Sequence, residues 1–270
     1  MDPQRRGLTL TLILIVGLLT VAPVAMLVLG SFSQGLDAFG HFTLSKYASA
    51  YADPGLWKVL FNTAVFVVGS TLLATLLALF LAYLNTRTDI PFKFLFGVLA
   101  IVPMMIPHVL FSVSWALLAN PSNGLMNLVL METFGLAKGP LNIYSMPGMI
   151  LVEGLLNMPI AYLIIAPAMA SFDVSLEESS RVFGAGAWRT LLRITLPVLR
   201  PAILAAFVLG IVRSLASYAV PRVLGVPGNE EVLATYLYEM ISIGFAPDYG
   251  KAAALGMSVL LVAVVLIWLY

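Results

Sequence analysis

Residues Ser175–Pro201 read SLEESSRVFGAGAWRTLLRITLPVLRP. They carry four of the chain's fourteen Lys and Arg residues (Arg181, Arg189, Arg193, Arg200) beside two adjacent glutamates, Glu177 and Glu178. The 270-residue chain around them is 61% hydrophobic and only 10% charged, where a soluble domain carries about 25%. A polar, helix-patterned island between apolar runs belongs outside lipid, and the runs on either side belong in it. The mean hydropathy of +1.01 makes this a membrane protein. The apolar runs are long and lack period-two alternation, so the fold class is all-α and polytopic: backbone facing lipid must satisfy its own hydrogen bonds. A net charge of +1 provides no polybasic surface for nucleic acid. The absence of cysteine excludes disulfides, zinc–thiolate sites and thiol catalysis within these residues.

Outward from the island, six spans are expected, at about 8–30, 57–84, 94–118, 146–170, 202–224 and 251–270, in one domain covering 1–270 with a cytoplasmic loop at 171–201. The first run is uncharged over 23 residues, about 34 Å as a helix and enough to cross a core about 30 Å thick. A cleavable signal peptide would have an apolar core of only about 7–15 residues, so the run reads as an uncleaved span. Trp57 and Lys58 suit an interface at the start of the second span. The third contains Pro103 and Pro107, which break or kink a helix at membrane depth. Residues 31–55, 119–145 and 225–249 read as outer loops.

Charge sets the orientation. Inner segments hold Arg5, Arg6, Arg87, Lys93 and the four island arginines, eight in all. Outer segments hold Lys46, Lys58, Lys138 and Lys251, with Arg222 as a fifth, and most of the acids, including Asp37, Asp53, Glu230, Glu231, Glu239 and Asp248. Both termini and the island are therefore expected on the cytoplasmic side.

Within the island, Ser175 and Glu178 have capping-box spacing, and Gly184 is placed to end a short helix in a left-handed turn. A second helix is expected from Ala187 to Ile194, stopped before Pro197. Trp188, Leu191 and Leu192 share one face of it, and Arg189 and Arg193 another.

Glu178-Ser179-Ser180, three residues, Gly184, nine residues, then Ile194-x-Leu196-Pro197 resembles the EAA loop of the inner-membrane permeases of ABC importers. There the pattern is E-A-A, three residues, G, nine residues, I-x-L-P. The departure is serine for both alanines, small for small. Asn142–Glu153 (NIYSMPGMILVE), Tyr218–Gly225 (YAVPRVLG) and Pro247–Leu255 (PDYGKAAAL) resemble the ferric-iron branch, in which one chain often holds two six-span halves. The resemblance covers almost the whole chain and marks it as similar to a first half. The ending at Trp268-Leu269-Tyr270, without a basic tail, fits a piece of a longer chain.

The resemblance implies a type I importer permease with no enzymatic activity and no cofactor of its own. ATP would be bound by a partner ATPase subunit docked on residues 175–197, through Glu178, Ser179, Ser180, Gly184, Ile194, Leu196 and Pro197. A second permease unit and a periplasmic solute-binding protein would complete the assembly in a bacterial or archaeal inner membrane. Ferric iron is the implied solute. Polyamine, thiamine, sulfate and phosphonate belong to related branches.

Glu153 is the one acid expected within a span, with Asn157 one turn on and Arg213 in the fifth span. Ionisable groups at that depth face a cavity or a partner, which makes these three candidates for lining the solute path or for a structural pair. His41 and His108 lie far apart with no acid at ligand spacing, so no metal site is expected. Glu230 and Glu231 are either solvated or in contact with the binding protein. A secondary transporter or channel would predict broken helices and several intramembrane acids, and would leave the island without a purpose. A membrane enzyme would need a catalytic cluster, and none is evident.

Overall fold

The structure is a computed structural model that describes residues 3–33, 42–242 and 247–270. Asp37 and His41 lie outside the described residues, as do the side chains of Arg5 and Arg6. The chain divides into two compact units, residues 1–58 with 236–265, and residues 59–235 with 266–270.

In the first unit, α1 (Pro3–Phe32) is followed by the short α2 (Ser45–Tyr51). With them are α10 (Leu233–Ser242) and α11 (Tyr249–Leu269). Polar side chains at the helix ends hold these pieces. Lys46 Nζ donates to Asp248 Oδ1 at 2.9 Å, Tyr236 Oη to Asp53 Oδ2 at 2.8 Å, and Tyr47 Oη to Ser31 Oγ at 3.0 Å. Gly30 packs against Ala253, where an added Cβ would lie 3.7 Å from that side chain.

The second unit is built on three helices: α3 (Pro54–Arg87), α7 (Met146–Ser171) and α9 (Ala187–Leu215). The sequence builds close contact from small residues. Ala74, Ala78 and Ala82 recur every fourth position of α3, are at most 2% exposed, and share a core with Met158, Ala161 and Ile165 of α7. An added Cβ at Gly154 would meet Leu73 at 2.8 Å, and one at Gly210 would meet Thr71 at 2.7 Å. Farther along these helices, Phe66, Met149, Val152, Leu156, Val220 and Leu224 form a second core.

Two expectations about the elements need correction and one is met. The third apolar run breaks at its prolines, as expected: α4 (Lys93–Ile101) with the 3₁₀ turn that follows it, and α5 (His108–Leu118), are bent by 106° about Ile106 and Pro107. Pro103 opens that turn and Pro107 lacks the N–H that would continue it, so the bend falls between them. The island's second helix does not stop before Pro197, and the fifth span is not a separate helix over 202–224; the two form one helix, α9. It is continuous over Ala187–Leu215. Residues Leu191–Thr195 form a π turn directly before Pro197, and this wider turn changes the local hydrogen-bond register where Pro197 has no N–H to give. The segments expected as outer loops are also partly helical, with α6 at Leu125–Phe134 and α10. Asn127 holds α6 down: its side chain bonds to the carbonyls of Asn120 and Leu141 and accepts the Leu141 N–H.

Five helices are long and apolar enough to cross a membrane, and the bent pair brings the candidate spans to six among the described residues.

Candidate functional site: a docking hairpin and a polar network at membrane depth

The polar island folds as a helical hairpin. Its first arm is α8 (Ser175–Val182). The capping box is not formed, because Ser175 is already helical; Asp173 accepts the Ser175 N–H instead, at 2.9 Å. This bond holds the Asp173 carboxyl below its ordinary pKa. Gly184 closes the arm as expected, with φ +81°. The Gly184 N–H reaches the Arg181 carbonyl at 2.9 Å and the Ala185 N–H the Ser180 carbonyl at 3.1 Å, the paired bonds of a Schellman turn. The second arm is the start of α9.

Glu177 and Glu178 are neighbours with opposite fates. Glu178 is exposed, while Glu177 is buried at 3% exposure. Arg87, at the end of α3, approaches Glu177 Oε2 with Nε at 3.1 Å, both side chains at most 6% exposed. Thr195 donates its hydroxyl to Glu177 Oε1 at 2.8 Å. Arg87 also donates to the Phe172 carbonyl at 3.3 Å and lies 5.6 Å from the centre of that ring. One carboxylate thus ties α8 to α3 and to the π turn of α9. A buried pair that satisfies its remaining hydrogen bonds in this way offsets much of its desolvation cost. The sequence reading missed Glu177 and Arg87.

The small residues of the motif face inward and outward in turn. Ser180 meets Thr190 across the hairpin at 3.0 Å, and Ser179 bonds back to the Ser175 carbonyl at 2.7 Å. Ile194 and Leu196 are half-buried and Pro197 is exposed. The tip is apolar and open: Val182 is 85% exposed, Phe183 90% and Trp188 70%. Trp188 therefore points away from the protein's own spans. Val182 and Phe183 were not singled out in the sequence, although their position just before Gly184 is the signal for them.

The three membrane-depth candidates are brought together. Glu153 and Asn157 lie one turn apart on α7, and Asn157 Nδ2 donates to Glu153 Oε1 at 3.1 Å. Ser217 donates to Glu153 Oε2 at 2.7 Å. Asn157 Nδ2 also reaches Ser214 Oγ at 2.9 Å, and that hydroxyl meets Ser70 Oγ at 3.1 Å. Arg213 donates from Nε to Asn157 Oδ1 at 3.1 Å. Among the described ion pairs Glu153–Arg213 is not one; Asn157 joins the two. A small cavity lined by Thr71, Thr75, Asn157, Gly210 and Arg213 has about 10 Å³ of free volume, room for one water at most.

His108 is exposed at the start of α5, and no group of three or more His, Asp or Glu side chains that could hold a metal occurs among the described residues. Glu230 Oε2 lies 3.4 Å from Asn62 Nδ2, which also reaches the Glu231 carbonyl at 3.1 Å. These contacts fold the segment that holds Glu230 and Glu231 back on α3.

A helical membrane core with six candidate spans, a buried polar network and a pinned hairpin with an open apolar tip define a transport component of the membrane. The chain belongs to the family of binding-protein-dependent transport system inner membrane components, whose model matches residues 70–270. It is 28% identical over 263 residues to the ferric transport system permease protein FbpB of Actinobacillus pleuropneumoniae, covering 97% of this chain and 37% of that protein. It is 30% identical over 183 residues to the molybdenum transport system permease protein ModB of Haemophilus influenzae, covering 67% of this chain and 78% of that protein. The chain thus spans little more than a third of its ferric relative. Its fold is that of a chain in the crystal structure of a bacterial ABC transporter that imports the acidic polysaccharide alginate, with a TM-score of 0.76 at 21% identity over 98% of this chain and 94% of that one.

Proposed function

We propose that this chain is a permease unit of a binding-protein-dependent ABC importer, forming one side of the solute path and docking an ATPase subunit through residues 175–197. The observation that carries the reading is the hairpin. Glu177, Ser180, Thr190 and Thr195 fix it from within, while the side chains of Val182, Phe183, Trp188 and Glu178 are left exposed. Large exposed apolar side chains on a rigid support mark a protein interface. The chain is not an enzyme in this reading; ATP is bound and hydrolysed on the separate subunit, and closure of an ATPase pair rocks the permease units between inward- and outward-open states. A second permease unit and an extracytoplasmic solute-binding protein complete the assembly. The chain sits in a bacterial inner membrane with both termini and the hairpin on the cytoplasmic side.

Ferric iron is the proposed solute, supported by the match to a ferric permease along nearly the whole chain. The higher identity to a molybdenum permease favours molybdenum as the second reading.

Because the chain has no cysteine, a single cysteine at Val182 or Ala185 has no background. It is expected to crosslink to an ATP-binding subunit, with a yield that changes when ATP is added. Purified material in which neither position crosslinks to such a subunit refutes the docking reading. Uptake by the complete transporter of labelled ferric complex against labelled molybdate decides between the solutes.

A further inference from the structure

The network at membrane depth is lopsided, and the side it leaves open has a sign. Glu153 is 3% exposed and has both oxygens engaged, by Asn157 and Ser217. Arg213 is half-buried and uses only Nε, on Asn157; its two terminal nitrogens donate to no described residue. Thr71, in the wall of the same cavity, is fully buried and its hydroxyl has no hydrogen-bond partner among the described residues. The acid is closed off and the donors are not.

A guanidinium left open at membrane depth faces a partner or an aqueous cavity. The bent third run points to a cavity. At Ile106 and Pro107 the backbone leaves the helix inside an apolar segment, which is tolerated only where protein covers it or water reaches it. Met105 beside the bend is 81% exposed, and His108, at the start of α5, is exposed as well.

We infer that Arg213, with Thr71 beside it, is an anion-binding step in the solute path, so that the solute crosses as an anion. This rests on the permease reading and narrows it. A guanidinium fork pairs with two oxygens of an oxyanion or a carboxylate, whereas an uncomplexed ferric ion is repelled by it. Two sources share this chemistry, a free oxyanion and a metal ion inside a complex of net negative charge. The present cavity is too small for either, so the site is closed here. Gly210 packs closely on Thr71 in its wall, where an added Cβ would lie 2.7 Å from the Thr71 side chain.

The test uses the complete transporter in proteoliposomes, with this chain, its partner permease unit, the ATPase and the binding protein. The probes are labelled molybdate, sulfate, ferric citrate and, as a cation, spermidine. The wild type is expected to import one of the three anions. Molybdate or sulfate uptake identifies a free oxyanion, and ferric citrate uptake a complexed metal. At saturating binding protein, Arg213→Gln is expected to lower that uptake about tenfold or more, while ATP hydrolysis stimulated by the binding protein stays within about twofold. Arg213→Lys, which keeps the charge but loses the fork, is expected to fall between. Uptake of spermidine, or anion uptake unchanged in Arg213→Gln, overturns the inference. Should that variant fail to assemble, Arg213→Lys decides, and wild-type uptake in it overturns the inference. A wild-type chain that assembles with no ATPase overturns the permease reading itself, which is seen before any variant is made.

Discussion

Replacing Arg87 by alanine should release the docking hairpin without dismantling the membrane core. Arg87 is the charge partner of Glu177, both side chains are at most 6% exposed, and the hydroxyl of Thr195 alone remains on the carboxylate when Arg87 is lost. Removing one partner of a buried ion pair costs about 3–5 kcal/mol, because the other charge is left uncompensated. Applied to a local opening of α8, that raises the opened population more than about a hundredfold. The cores around Ala78 and Val152 are untouched. Limited trypsin digestion should therefore cut the variant much faster at Arg181 and Arg189, with the membrane-embedded fragments intact. Uptake per ATP hydrolysed should fall in parallel. The double variant Arg87→Met/Glu177→Leu replaces the pair with apolar volume and should recover most of the protection, since such swaps are often neutral. Glu178→Gln should leave digestion unchanged and weaken only ATPase association. If Arg87→Ala digests like the wild type, or Glu178→Gln digests as fast as expected for Arg87→Ala, the assignment of Glu177 as the inward anchor is wrong.

Other outcomes follow from single features. Gly184→Ala puts a Cβ at φ +81°, costing about 1 kcal/mol, and should lower the crosslinking yield at Val182 without abolishing it. Asp173 has its folded pKa lowered by the Ser175 N–H. Its contribution to the hairpin is therefore full above the ordinary value near 3.8 and lost as pH falls through the lower folded value. Trypsin is inactive there, so hydrogen exchange of α8 is the measurement; acid should speed it in the wild type and much less in Asp173→Asn. Thr71→Val removes a buried hydroxyl with no partner among the described residues, so thermal stability should be unchanged or higher, while anion uptake falls; a Tm drop of several degrees shows that the hydroxyl is satisfied in the folded protein.

The sequence reveals the outline of the site better than its wiring. Six apolar runs are plain because lipid imposes length and composition on each. Gly184 is legible because a left-handed turn selects glycine locally. Glu153 and Asn157 could be placed together from helical spacing alone. Adjacent glutamates are a different matter: they sit about 100° apart on a helix, and which one is buried depends on Arg87, ninety positions earlier in the chain. The motif spacing drew attention to Glu178 and away from its neighbour. Pro197 misled for a similar reason. The rule that proline ends a helix is local, and the π turn that carries α9 past it is held in part by Thr195 on the distant Glu177.

The unbroken run of α9 has a mechanical consequence. From Ala187 to Leu215 it is a single rod about 43 Å long, with Trp188 near one end and Arg213 near the other. No relay of side-chain rearrangements is needed to carry a signal between them. The rod is a lever: a few ångströms of sideways push at the hairpin tip, about a fulcrum midway along it, would move Arg213 by a similar distance the opposite way. That displacement compares with the width of one oxygen atom, so in the proposed transporter a nudge at the hairpin tip would be enough to reset what the far end of the rod can hold.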